Sequence, residues 1–125
     1  MDKRYIELKE LEIYQKAREI SKIAWEIYKG LNYEEKKIFG DRFICSNDSI
    51  GANIAESYGR FHYLERIKFC YNARGSLKES INWTELMIER IIKDQDLLTK
   101  LHNLLLEEEI KIKNYISSIY KTKEK

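Results

Sequence analysis

Proline is missing from the 125-residue chain, and glycine occurs only five times. A collagen-like strand or a linker-rich chain is thereby excluded, since both depend on those residues. The two cysteines, Cys45 and Cys70, are too few for a disulfide framework in a chain long enough to form its own core. No run approaches the roughly 18 apolar residues of a membrane-spanning helix, so no membrane partner is expected. The opening stretch Met1-Asp2-Lys3-Arg4-Tyr5-Ile6-Glu7-Leu8 has no apolar segment of the signal-peptide kind. These shortages predict a cytoplasmic protein with reduced thiols.

Net charge is scarce as well: 23 Lys and Arg against 21 Asp and Glu leave +2. That total conceals blocks. Residues 60–78 carry net +4, residues 79–109 net −5, and residues 110–125 net +4. A balanced sum therefore does not exclude an anion-binding face. With 43% apolar and 35% charged residues, the chain can build one core under a well-solvated surface, which excludes disorder. One domain over residues 1–125 is predicted, with short flexible ends at about 1–8 and 121–125.

The hydrophobic period is helical throughout. Ile13, Ala17, Ile20, Ala24, Ile27 and Leu31 recur in steps of four and three, which predicts a first helix with one apolar stripe ended by Gly30. Asn32 with Glu35 forms a capping-box pattern for a second helix, which carries Phe39, Phe43, Ile50 and Ile54 to Gly59. Its middle, Cys45 to Gly51, is rich in poor helix formers and predicts a bend or break. A third helix is predicted from about Tyr63 to Lys93, and a fourth from about Asp96. Short connections make neighbours antiparallel. The fold class is all-α, an antiparallel up-down-up-down four-helix bundle.

The third helix carries two patterns. Ile67, Cys70, Arg74, Leu77, Ile81 and Ile88 form one stripe. Phe69, Ala73, Ser76, Ser80, Trp83 and Met87 form a second, read as lying on the opposite side. A helix apolar on two sides must be covered on both. The second stripe is thus a candidate oligomer interface; otherwise the helix is central and deeply buried within one chain. On the first helix Tyr14 and Trp25 extend the interface candidates, since aromatic residues with Arg are enriched at protein interfaces; stacking on nucleic-acid bases is the alternative for them.

Arg74, placed on the core stripe, needs an anion, because a guanidinium keeps its charge. Glu56, with Asn53 one turn earlier, is its expected partner in a buried ion-pair network; a phosphate or other anion at Arg74 is the functional alternative. No metal or cofactor is expected: neither His62 nor His102 has the Glu-x-x-His spacing of bundle metal sites, and the cysteines are not in a CxxC pair. No P-loop or GxGxxG motif is present. An enzyme is not expected. The remaining signal is cationic. Arg60, Arg66 and Lys68 gather at the turn into the third helix, and Lys111, Lys113, Lys121 and Lys123 lie on the fourth. An antiparallel bundle brings these groups to one end, where they would attract a phosphate backbone without reading its sequence.

Three stretches resemble one family. Leu11-Glu12-Ile13-Tyr14-Gln15-Lys16-Ala17 is similar to its first-helix opening. Ser49-Ile50-Gly51-Ala52-Asn53-Ile54-Ala55-Glu56-Ser57-Tyr58-Gly59-Arg60 resembles its Ser-Ile-Pro-x-Asn-Ile-Ala-Glu-Gly-x-Gly-Arg motif. Ala73-Arg74-Gly75-Ser76-Leu77 is similar to its Ala-Arg-Gly-Ser-Leu motif. The family is that of the four-helix bundle proteins encoded in intervening sequences of bacterial 23S ribosomal RNA genes. The accessory variability protein of diversity-generating retroelements is a relative. The resemblance implies a left-handed bundle, a homo-oligomer with a pentamer favoured, association with RNA or DNA, and a protein partner such as a reverse transcriptase. It implies no catalytic residues and an architectural role for Asn53, Glu56, Arg74 and Gly75. Gly51 and Ser57 depart from the family's Pro and Gly.

The sequence thus points to a non-enzymatic oligomeric bundle that binds nucleic acid, RNA in the first place. The alternative is a protein-interaction module with no nucleic-acid ligand.

Overall fold

The computed structural model describes residues 6–123, the side chain of Lys123 excepted. The expected flexible ends fall partly outside these residues; within them a 3₁₀ turn occupies Leu8–Glu10 and the last helix continues to Lys123. Four long helices follow the turn: α1 (Glu12–Lys29), α2 (33–58), α3 (Tyr63–Arg90) and α4 (Gln95–Lys123). No strand occurs among the described residues, and none of the helices is long and apolar enough to cross a membrane.

Each helix packs on two others. α1 contacts α2 and α4, and α3 contacts the same two, so the helices close a ring in chain order. Side-chain contacts fix the direction of each neighbour. Tyr28 donates to Asp41, while the Gly51 backbone lies against Ala17. Ser57 donates to the Arg66 carbonyl, and Ser80 to Ser46. Glu85 meets His102, and Lys78 meets Glu109. Lys111 reaches Glu12, and Lys16 reaches Glu107. In every pair the numbering rises along one helix as it falls along the next, so all four neighbours are antiparallel.

Local chemistry explains the boundaries. Asn32 accepts from the Glu35 backbone N–H, and the Glu35 carboxylate accepts from that of Asn32, which completes the predicted capping box. Hydrogen bonds from the Asn32 backbone N–H first, and then from Lys93, hold the Glu35 carboxyl below its usual range. At the α3–α4 turn Asp94 takes a positive φ of 59°, a conformation that Asp tolerates better than most residues. Lys93 from that turn donates to the Gly30 carbonyl, so the α1–α2 and α3–α4 turns share one end of the rod. The α2–α3 turn, the start of α1 and the end of α4 share the other.

Helix α2 departs from expectation. The stretch from Cys45 to Gly51 is regular α-helix. Its polar side chains bond back to carbonyls of the preceding turn: Ser46 and Asn47 to Phe43, Ser49 to Cys45, and Asn53 to Ser49. Residues that disfavour helices because they compete for backbone groups here donate to the helix's own carbonyls without breaking it. The irregularity lies earlier, as a π-helical turn over Lys36–Gly40. A side chain at Gly40 would come within 2.7 Å of Leu31 Cδ1, which explains a glycine at this close approach.

Helix α3 corrects the reading of two opposed faces. At about 100° per residue the two stripes are centred only about a third of a turn apart. The buried face runs between them and takes residues from both: Ile67, Cys70, Ala73, Leu77, Ser80, Thr84 and Met87. Ala73, Ser80 and Met87 are covered by their own chain and are not free to form an interface. Phe69, Ser76 and Trp83 stay half-buried at the edge facing α2. The same rotation turns Arg74 out to solvent. Glu56 is also exposed and pairs with Arg60, while Asn53 is occupied by the Ser49 carbonyl. The expected buried network of Asn53, Glu56 and Arg74 therefore does not form.

Candidate nucleic-acid interface

The end of the rod that holds the α2–α3 turn collects the cationic candidates. Ser57 and Arg66 set its geometry. The Ser57 hydroxyl donates to the Arg66 carbonyl at 2.7 Å and lies 3.2 Å from Cys70 Sγ. A glycine here would supply neither contact, so this departure from the family motif ties the end of α2 to the first turns of α3. Burial pushes the Cys70 thiol above its usual range, partly offset by Ser57, so Cys70 behaves as a small buried apolar group. From this anchored turn the Arg66 guanidinium reaches Tyr115 Oη of α4 at 3.5 Å. That contact joins the two basic segments.

The seven cations are not equivalent. Arg60 is engaged by Glu56 and, at 3.7 Å, by Glu65, and its guanidinium lies 4.9 Å from the centre of the Phe69 ring. Lys111 is paired with Glu12 at 3.0 Å. Lys68 Nζ lies 5.4 Å from the centre of the same Phe69 ring, a cation–π contact that leaves the ammonium open to an anion. Arg66, Lys68, Lys113 and Lys121 have no carboxylate partner among the described residues. The Lys123 side chain lies outside the described ones.

Aromatic and apolar side chains are interleaved with these charges. Phe61 is 92% exposed at the turn and meets His62 edge-on. Leu64, Tyr71 and Tyr120 are also exposed, and a hydrogen bond between Tyr71 and Tyr120 raises the Tyr120 hydroxyl above its usual range. An open pocket of about 540 Å³ is lined by Ile6, Leu11, Tyr58, Arg60, Phe61, Arg66 and Tyr115.

A second surface surrounds the outer ridge of α2, made of Cys45, Asp48, Ser49 and Ala52. Tyr14 and Trp25 stand on its α1 side, where a shallow groove holds Arg18, Ser21 and Asp48. Phe69 and Trp83 stand on its α3 side, and the Trp83 indole N–H donates to Glu79. Five of the eight interface candidates thus remain accessible, and they line both sides of one ridge.

Sequence reasoning passed over Glu108. It is the middle residue of Glu107-Glu108-Glu109, a run that reads as solvent-facing. It nonetheless falls four residues after Leu104 and four before Ile112, both buried, and that spacing was the available signal. The side chain is 0% exposed, and neither carboxyl oxygen has a hydrogen-bond partner among the described residues. Burial pushes its pKa up to about 8, against the pull of Lys16 and Lys111 and with the push of Glu12. The hydrogen bond to Glu107 directs Lys16 away from it and raises the Lys16 pKa. At pH 7 Glu108 is therefore mainly a neutral acid inside the bundle.

No curated protein matches the chain at a significant level. The solved structure of a Bacteroides thetaiotaomicron protein of unknown function from the S23 ribosomal protein family superposes with a TM-score of 0.77. The two are 23% identical, and the match covers 83% of this chain and 97% of that one, so the likeness establishes the shared fold. Residues 9–114 match the profile of the 23S rRNA-intervening sequence protein family. That span holds all three motifs and most of the four helices, and the chain belongs to the 23S rRNA-intervening sequence protein family.

Proposed function

We propose that the protein is a non-enzymatic oligomeric bundle that binds nucleic acid, RNA in the first place, through its basic, aromatic end. The contact between Arg66 and Tyr115 carries this reading. It brings two segments of net +4 to one end of the rod, while the acidic segment runs toward the other. The α2 ridge, flanked by Tyr14, Trp25, Phe69 and Trp83, suits a second copy of the chain, and a ring of copies would repeat the cationic end. Family membership is consistent with an RNA-linked role in the cytoplasm.

The test is salt dependence. If Arg66, Lys68, Lys113 and Lys121 each neutralise one phosphate, affinity for single-stranded RNA falls with roughly the third power of salt. Between 50 and 200 mM that amounts to about a 50-fold loss in a fluorescence-anisotropy titration. A change under about threefold, or no binding at 50 mM, would remove the reading. Sedimentation of the same sample gives the assembly state, and a monomer at micromolar concentration would remove its oligomeric part. A stoichiometric protein partner captured without nucleic acid would replace it with a protein-interaction module.

A further inference from the structure

The pocket beside the α2–α3 turn has features that phosphate attraction alone does not need. We propose that it receives an unpaired nucleotide, with Phe61 stacking on the base and Arg66 holding the adjoining phosphate. This rests on the nucleic-acid reading above and narrows it to single-stranded, looped or bulged RNA.

Three observations carry the inference. Phe61 is 92% exposed, so its ring adds nothing to the core that a polar residue could not replace. A flat apolar ring beside cations suits a ligand with a flat face and an anionic link, which describes a nucleotide. The pocket, about 540 Å³ and open on one side, is large enough for one base and its sugar. Its walls combine aromatic rings with two guanidinium groups, and none of the described residues that line it is acidic.

The two arginines divide the work. Glu56 and Glu65 already engage Arg60, and its plane rests near Phe69, so it forms a fixed wall. Among the described residues Arg66 has a neutral partner only, the Tyr115 hydroxyl at 3.5 Å, and it keeps donors for a phosphate. Lys68, whose ammonium lies over the Phe69 ring beside Arg60, adds to the positive field. In a duplex each base is stacked between its neighbours and cannot present a free face to Phe61. An unpaired base can, which is the usual basis of RNA recognition outside helices.

A fluorescence-anisotropy comparison at 50 mM salt tests this with three probes: a 12-nucleotide single strand, the fully paired 12-base-pair duplex, and a hairpin with an unpaired loop. Wild-type protein is expected to bind the single strand and the hairpin at least tenfold more tightly than the duplex. Phe61→Ala, at an exposed position that leaves the fold intact, is expected to weaken single-strand binding roughly 5- to 100-fold and to leave duplex binding within twofold. Phe61→Trp is expected to restore it. Equal affinity for single strand and duplex, with Phe61→Ala silent, would overturn the pocket while the phosphate-binding end stands. Absence of binding to all three probes would overturn the pocket together with the function it refines.

Discussion

The middle of the bundle and its basic end invert the usual distribution of side chains in opposite ways. At the middle, polar groups go inside: Ser46, Asn47, Ser80, Thr84 and Glu108 are all buried. At the end, apolar groups go outside: Phe61, Leu64, Tyr71 and Tyr120 face solvent. The middle costs folding energy, because Glu108 and the Asn47 Oδ1 lack partners there and an unpaired buried polar group loses its hydration. The end costs little, because exposed apolar side chains are common on any protein surface. The contrast separates two kinds of exception. Polar residues inside fix which helices meet at which level, as the Ser46–Ser80 bond does for α2 and α3. Apolar residues outside are available to a ligand.

The sharpest way to break this comparison is to neutralise the middle. The Glu108 pKa rises from an ordinary 4.5 to about 8. Below pH 4.5 the carboxyl is protonated in both folded and unfolded chains and costs nothing by titration. As pH rises from about 4.5 to about 8, the unfolded chain ionises first and stability falls, reaching a plateau above the folded pKa. At about 1.4 kcal/mol per pH unit the shift corresponds to a loss of about 5 kcal/mol. Glu108→Gln is expected to recover several kcal/mol at pH 8.5 and to change stability at pH 4 by under about 1 kcal/mol. Urea titrations across pH measure both, and a pH dependence unchanged by the substitution would refute the burial of an ionisable group.

Smaller effects come from α3 between the two regions. Gly75 sits inside a helix with nothing within 4 Å of an added Cβ. Gly75→Ala should stabilise by about 0.5–1 kcal/mol, since Gly loses more chain entropy in a helix than Ala. A loss of stability in the same denaturation assay would show that the outer α3 face is not open. Arg74→Ala should change stability by less than about 0.5 kcal/mol, because Arg74 is exposed. A loss of several kcal/mol would restore the buried ion pair that its position in the sequence suggests.

Legibility followed the range of the interactions involved. The Asn32–Glu35 capping box was readable because both partners lie within one turn. The four helices and their antiparallel order were readable because apolar spacing and short turns are local signals. The α3 face was misread because two stripes about a third of a turn apart merge into one broad face, and only contact with α2 and α4 decides its centre. Arg74 was assigned to the core from that error, and Glu56 with it. Topology groups the cationic residues toward one end, but the carboxylates that occupy Arg60 and Lys111 come from Glu56, Glu65 and Glu12, pairings that depend on three-dimensional reach. Glu108 was hidden by its acidic neighbours, although its spacing from Leu104 and Ile112 marked it.

The π-helical turn at Lys36–Gly40 bears on how such a chain can vary in length. A π turn holds one residue more than the α turn it interrupts. Removing a solvent-facing residue there, such as Lys37, would let the helix close as regular α while Phe39 and Phe43 stay on the core side. The start of α2 is thus a place where the gene can lose a codon without moving the helix faces that hold the bundle together.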